Sequence, residues 1–240
     1  MKALILAGGY ARRLAPITDF IAKPLLPVGG RPIIEWIVEK LKNAGIKEIV
    51  VSTNSYYESQ FRYWLKCRNE DISLIIEPTK SEEEKFGAIR GMKYAMEKMG
   101  EDDYIVIAGD NFFDFSLADF VEFFKRIYKP VIAIYDVGDL ERAKRYGTVL
   151  LDSSGRVIKM IEKPENPETT LISTACYAFP RGIDSFMDEY LKGENNPDSP
   201  GYFISWLTQR YEVYGYIFHG TWMDIGNIDE YRQAFKMFYH

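Results

Sequence analysis

Along the chain, short runs of consecutive apolar residues alternate with stretches in which apolar positions recur every three or four residues. Residues 2–7 (KALILA) are almost continuously apolar, as a strand covered on both faces should be. After Pro32, the residues Ile33, Ile34, Ile37, Val38 and Leu41 fall at helical spacing. Proline suits a first helical turn, and Gly45 suits the C-terminal cap. The alternation continues through strands at 48–52, 72–77, 104–108 and 131–135, with helices at 57–66, 86–99 and 117–128 between them. This series predicts an α/β fold, a mostly parallel sheet with helices on both faces. From about Gly147 the rhythm changes. Segments 148–151 and 156–162 flank Asp152-Ser153-Ser154-Gly155 and read as an antiparallel hairpin, with another strand at 171–179. Helices are expected near 183–191, 203–210 and 228–239, a strand near 213–218, and a loop at 195–201 (NNPDSPG). The expectation is one domain over 1–240 with an inserted antiparallel portion.

Composition narrows the function. The 240 residues are 47% hydrophobic and 15% aromatic, enough for a sizeable core. A net charge of −5 argues against nucleic acid as a partner. Cys67 and Cys176 lack any CxxC spacing and are expected to be reduced thiols. His219 and His240 are too few for a histidine zinc site or a Ser-His-Asp triad. Met1 leads directly into KALILA, and no apolar stretch reaches membrane-spanning length. The expected location is the cytoplasm, with no membrane partner.

In open α/β sheets, ligands bind beyond the carboxyl ends of the strands. The segment from Gly8 to Gly30 and the triplet Gly109-Asp110-Asn111 fall there. Gly8 and Gly9 let a ligand lie against backbone. Arg12 or Arg13 can grip phosphate with a planar fork, and Lys23 adds a compact charge. A polyphosphate is the natural guest; the ordinary alternative is a surface loop that needs glycine to turn. The loop is neither GxGxxG nor GxxxxGK[ST], which weakens dehydrogenase and P-loop readings. Asp110 at a strand end can hold Mg²⁺ or simply serve a turn. Asp224, in WMDIG, is a second carboxylate or a helix N-cap. Lys163, after Glu162, is a candidate for a second phosphate.

Four separated motifs carry a family resemblance over nearly the whole chain. LAGGYARRLAPIT…AKPLLPVGGRPII, AGDN at 108–111, RYGTVLLDSSGRVIKMIEKP at 145–164 and WMDIG at 222–226 together resemble the sugar-1-phosphate nucleotidyltransferases. The resemblance is to the short, glucose-1-phosphate thymidylyltransferase-like form. It implies the nucleotide-diphospho-sugar transferase fold, with a Rossmann-like sheet and an antiparallel sugar-binding insertion. It also implies that Leu6, Ala7, Gly8, Gly9, Arg13, Lys23, Glu77, Gly87 and Asp110 bind the nucleotide. Gly147, Glu162, Lys163, Thr174 and Tyr177 would receive the sugar phosphate, and Asp110 and Asp224 would coordinate Mg²⁺. Arg13, Lys23, Asp110, Lys163 and Asp224 would carry catalysis. The reaction joins an NTP and a sugar 1-phosphate into an NDP-sugar with release of pyrophosphate. Sugar phosphate is already anionic, so no strong base is needed, which agrees with a chain that has two histidines.

The chain departs from the family pattern in ways that bear on substrate. Ala11 and Arg12 stand where GGxGTRL has glycine and threonine, and the loop is expected to follow a slightly different path there. Glu77 stands where many relatives have glutamine, followed by an acidic run, Glu82–Glu84, that reads as solvated loop. Ala175 replaces a sugar-pocket glycine. The leading substrates are dTTP or UTP with glucose 1-phosphate. Alternatives are GTP with mannose 1-phosphate, CTP with another phosphorylated alcohol, and a non-catalytic nucleotide-sugar sensor. A metal-dependent glycosyltransferase is disfavoured, since Asp110-Asn111-Phe112 supplies no DxD motif. No hexapeptide repeat is present, so a second acyltransferase activity is not expected. The last helix, with Phe235, Met237, Phe238 and Tyr239, is expected to pack on its own domain; a homo-oligomer is left open.

Overall fold

The structure, a computed structural model, describes residues 1–68 and 71–238. β1 (Lys2–Leu6) sends Ala3 and Ile5 to one face of a sheet and Leu4 to the other, and all three are fully buried. This is why its sequence is continuously apolar. Three 3-10 turns follow, at Arg12–Leu14, Ile17–Asp19 and Lys23–Leu25, then a small ribbon, β2 (Pro27–Val28) with β3 (Arg31–Pro32). α1 (Ile33–Asn43) ends as expected, with Gly45 just beyond it at φ 78°.

The regular alternation then runs β4 (Ile49–Asn54), α2 (Glu58–Lys66), β5 (Ile72–Glu77), α3 (Ala88–Met99) and β6 (Tyr104–Ala108). A short β7 (Asn111–Phe113) precedes α4 (Leu117–Ile127), β8 (Val131–Asp136) and α5 (Leu140–Ala143). The hairpin is β9 (Gly147–Leu151) with β10 (Val157–Glu162), followed by the long β11 (Leu171–Phe179). The chain finishes with α6 (Ile183–Lys192), α7 (Pro200–Thr208), β12 (Tyr214–Ile217), β13 (Trp222–Asp224) and α8 (Ile228–Lys236).

The main sheet runs β10-β9-β11-β6-β1-β4-β5, with β8 joined to β11 and β12 joined to β8. β6, β1, β4 and β5 are mutually parallel, and β11 enters antiparallel beside β6. Alternate strand residues feed two cores. Ile5, Val51 and Ile107 pack under α1, α2 and α4, while Leu4, Val50 and Val106 pack under α3, α6 and α7. A third, smaller cluster joins Leu14, Leu26, Val28 and Ile33 to Ile225 and Ala234. It fastens the segment after β1 to the final strand and helix.

One helix boundary and one alternative for Asp224 are revised. α7 begins at Pro200, earlier than 203, because Ser199 accepts the Gly201 N–H and proline fits the first turn. Asp224 is no N-cap: it lies in β13, and Asn227 caps α8 by accepting the Asp229 and Glu230 N–H groups. Ala11 has a left-handed backbone, at φ 47° and ψ 40°, a conformation that glycine adopts freely. Ala175 is also left-handed, at φ 54°, in a bulge where the β11–β8 register shifts between Ser173 and Tyr177. The last helix does pack inward: Phe238 meets Trp36 and Phe112 at ring separations of 5.1 and 5.5 Å, whereas Phe235 and Met237 are exposed. Tyr239 and His240 lie outside the described residues.

Candidate active site

Three distant segments meet at one point. Gly109 follows β6 and its N–H donates to the Leu6 carbonyl at 2.8 Å. A methyl group on Gly109 would lie 3.0 Å from that carbonyl oxygen and 3.2 Å from Pro24 Cγ. Only glycine therefore lets the turn after β6 press against the Lys23–Leu25 turn. This approach delivers the carboxylate of Asp110 to Lys23, with Nζ 2.5 Å from Oδ2. β13 then pairs antiparallel with β7, Asp224 opposite Asn111, and Asp224 Oδ1 comes within 3.6 Å of the same Nζ. The pairing links residues about a hundred positions apart, which no local pattern announces.

Electrostatics follow from this crowding. Burial alone would lower the Lys23 pKa, but Asp110 and then Asp224 outweigh it and hold the ammonium above its ordinary value. Asp224 is pushed up to about 6 by burial and by Asp110, against the pull of Lys23. Two carboxylates sharing one ammonium form a site that favours cations. Among the described residues no cluster of three or more His, Cys, Asp or Glu forms a metal cage. A pair of carboxylates suits Mg²⁺, which commonly takes one or two of them and completes its shell with water and substrate phosphate.

A cleft of about 330 Å³ opens from this centre. Leu6, Gly8, Gly9 and Tyr10 form one wall, and Glu77, Phe86, Gly87 and Ala88 another, with Asp110 and Ala175 between them. The glycine loop is held from behind by the polar end of β4. Asn54 Nδ2 donates to the Gly8 carbonyl at 2.9 Å, and Thr53 Oγ1 to the Ala7 carbonyl at 3.1 Å. Ser52 Oγ donates to Glu77 Oε1 at 3.1 Å. Ser52, Thr53 and Asn54 are buried supports that sequence reasoning missed; three polar residues closing an apolar strand were the available signal. Glu77 itself is buried, which raises its pKa despite the bond from Ser52. Arg13 is exposed beside the loop and makes no hydrogen bond or ion pair among the described residues. Arg12 instead pairs with Glu82 and Glu83, so the acidic run spans the mouth of the cleft.

The sugar-side candidates divide. Gly147 and Glu162 face each other across the β9–β10 ladder, and Ser199 Oγ donates to Glu162 Oε1 at 2.9 Å. Glu162 is wedged between two glycines: a methyl on Gly147 would lie 2.8 Å from Oε2, and one on Gly201 would overlap it. Lys163 is exposed at the end of β10, in a left-handed conformation, with its N–H on the Tyr146 carbonyl at 3.0 Å. Thr174 and Tyr177 are both buried. Thr174 Oγ1 donates to the Ala133 carbonyl at 3.0 Å, and its own carbonyl accepts from Asn111 Nδ2 at 2.5 Å. Tyr177 is buried against Phe179. The Tyr177 hydroxyl lies by Ser173 Oγ at 3.5 Å, and Ala175, at the β11 bulge, lines the cleft.

The fold is a mostly parallel α/β sheet whose glycine-walled cleft reaches Asp110, which pairs with Lys23. The chain belongs to the nucleotidyl transferase family, whose model matches residues 2–239. It is 28% identical over 239 residues to the low-salt glycan biosynthesis nucleotidyltransferase Agl11 of Haloferax volcanii, covering 98% of this chain and 65% of that protein. It is 31% identical over 227 residues to a bifunctional sugar-1-phosphate nucleotidylyltransferase/acetyltransferase of Sulfurisphaera tokodaii, covering 94% of this chain and 52% of that protein. This chain thus spans about half to two-thirds of the length of such curated relatives. A Bacillus anthracis structure described as a glucose-1-phosphate thymidylyltransferase in complex with sucrose superposes with a TM-score of 0.82 at 25% identity, covering 99% of this chain and 95% of that one. UDP-glucose pyrophosphorylase complexed with UDP-glucose gives 0.85 at 22% identity, covering 99% and 98%, a likeness of fold. Among the described residues no helix is long and apolar enough to cross a membrane.

Proposed function

We propose that this chain transfers a nucleotidyl group from an NTP to a sugar 1-phosphate, releasing pyrophosphate and forming an NDP-sugar. The observation that carries the proposal is Lys23 held between Asp110 and Asp224 at the end of the glycine-walled cleft. An oxygen of the sugar phosphate attacks the α-phosphorus, and the bond from that phosphorus to the bridging oxygen breaks as pyrophosphate leaves. The obstacle is the approach of two anions. Gly8 and Gly9 bring backbone close to the phosphates, and Arg13 and Lys23 offset their charge. Gly147 and Glu162 receive the sugar, and Lys163 its phosphate. Asp110 and Asp224 would hold Mg²⁺, which would supply charge neutralisation on the phosphates. Positioning provides much of the remaining acceleration.

The substrate reading is dTTP or UTP with glucose 1-phosphate. The thymidylyltransferase described above supports both parts of this reading, and a glucose-1-phosphate adenylyltransferase of Desulfitobacterium hafniense, 29% identical to this chain, supports glucose 1-phosphate but not the base. The proposed location is the cytoplasm. The test is Mg²⁺-dependent pyrophosphate release across dTTP, UTP, GTP, CTP and ATP, each with several sugar 1-phosphates. One strongly active pair establishes the reaction and both substrates. Silence from folded protein across all pairs refutes the reading and turns attention to nucleotide-sugar binding without catalysis.

A further inference from the structure

One ion pair outside the nucleotide cleft, buried on its Glu230 side and exposed on its Arg145 side, joins the two halves of the centre. Glu230 stands in the first turn of α8, with its side chain 14% exposed. Its Oε2 accepts the Gly226 N–H at 2.8 Å, two residues beyond Asp224. Its Oε1 pairs with the guanidinium of Arg145. A methyl on Gly226 would lie 3.0 Å from Glu230 Oε2 and 3.4 Å from Asp224 Oδ2, so the two carboxylates flank that glycine. Arg145 offsets the repulsion this creates.

Arg145 also precedes Tyr146 and Gly147, where β9 begins. The Tyr146 carbonyl accepts the Lys163 N–H, and the Tyr146 ring packs edge-on against Trp222 at 5.1 Å. Glu230 therefore touches the turn behind Asp224 with one oxygen and the root of the sugar-side hairpin with the other. An exposed ion pair made for stability alone would contribute little. This one uses both carboxylate oxygens, and each bond ends on a different half of the centre.

We propose that Glu230, held by Arg145, is a positioning residue that fixes the spacing between Asp224 and the sugar-phosphate hairpin β9–β10. The proposal rests on the nucleotidyl-transfer reading above. Neither side chain is in the nucleotide cleft, so Glu230→Ala should lower kcat by about ten- to a hundredfold and raise KM for the sugar 1-phosphate. KM for the NTP should stay unchanged. Glu230→Gln keeps an acceptor for Gly226 and should recover part of the loss. Arg145→Ala should resemble Glu230→Gln, and the Arg145→Ala/Glu230→Ala double variant should be no worse than Glu230→Ala, since the two act as one unit.

The experiment measures these constants with the most active NTP and sugar 1-phosphate pair of the wild type, and titrates Mg²⁺ alone by calorimetry. Weakened Mg²⁺ binding in Glu230→Ala is expected. Unchanged kcat, KM and Mg²⁺ affinity in folded variants would overturn the proposal, as would equal loss in both KM values. If Glu230→Ala fails to fold, Glu230→Gln and Arg145→Ala decide. A wild type inactive with every pair defeats the nucleotidyl-transfer reading instead, and the Mg²⁺ titration then judges Glu230 separately.

Discussion

At the scale of single residues, charge and backbone conformation lead to different kinds of prediction. Among the described residues, Lys23 is the one cation in contact with both site carboxylates. Lys23→Met or Asp224→Asn should cut pyrophosphate release a hundredfold or more, about 3 kcal/mol in the barrier, while circular dichroism shows an intact fold. Near-normal rates in both variants would remove the centre from the mechanism. Ala11 occupies left-handed backbone that costs a non-glycine residue about 1 kcal/mol. Ala11→Gly should therefore raise the urea midpoint, and a lower midpoint would contradict that account. Glu77 titrates above its ordinary value of 4.5 because burial disfavours its charge. Folding then favours the protonated form. Stability is full below pH 4.5 and is lost as pH rises through the higher folded value. Glu77→Gln should remove that loss, leaving a variant more stable than the parent at pH 7 and similar to it at pH 4. Equal pH profiles for the two proteins would show that Glu77 carries no such penalty. Lys23, Asp110 and Gly8–Gly9 were legible because a strand end plus a reactive residue is a local signal. The burial of Thr174 and Tyr177 was not legible, because the bulge at Ala175 is invisible in the apolar run LISTACYAF.

At the scale of elements, glycine sets how closely pieces approach. Gly201, in the first turn of α7, leaves the space that Glu162 fills. Gly201→Ala should displace that carboxylate and raise KM for the sugar 1-phosphate well above the change for the NTP; a larger effect on the NTP would place Glu162 on the nucleotide side. The segment between β5 and α3 is pinned at two points, through Glu82 and Glu83 to Arg12 and through Lys85 to Asp198 at 3.5 Å. Exposed pairs of this kind are weak and screened by salt. Replacing Glu82 and Glu83 with glutamine should free Arg12 for phosphate and lower KM for the NTP, most visibly at low ionic strength. Unchanged KM at every salt concentration would count against that competition. The main helices and strands were legible because their apolar periods are long. β7 and β13 were not, because three-residue strands have no period to read and pair only through tertiary contact.

At the scale of the molecule, the parallel centre positions everything else. β1, β4 and β6 are buried on both faces, so their carboxyl ends form a stiff rim for the glycine loop, Ser52–Asn54 and Asp110. Fold class was readable from the first half of the sequence, since alternating strand and helix signals permit few topologies. The third hydrophobic cluster has a consequence in time. It joins Leu14 and Leu26, which come before the parallel strands β4, β5 and β6, to Ile225 and Ala234, which come long after them. A chain emerging from the ribosome can collapse its parallel half early, since β1, β4, β5 and β6 all lie before residue 109. Asp224 cannot reach Lys23 until the final strand arrives. The parallel half can therefore be folded well before the centre is competent, and the centre closes only after Asp224 has been made.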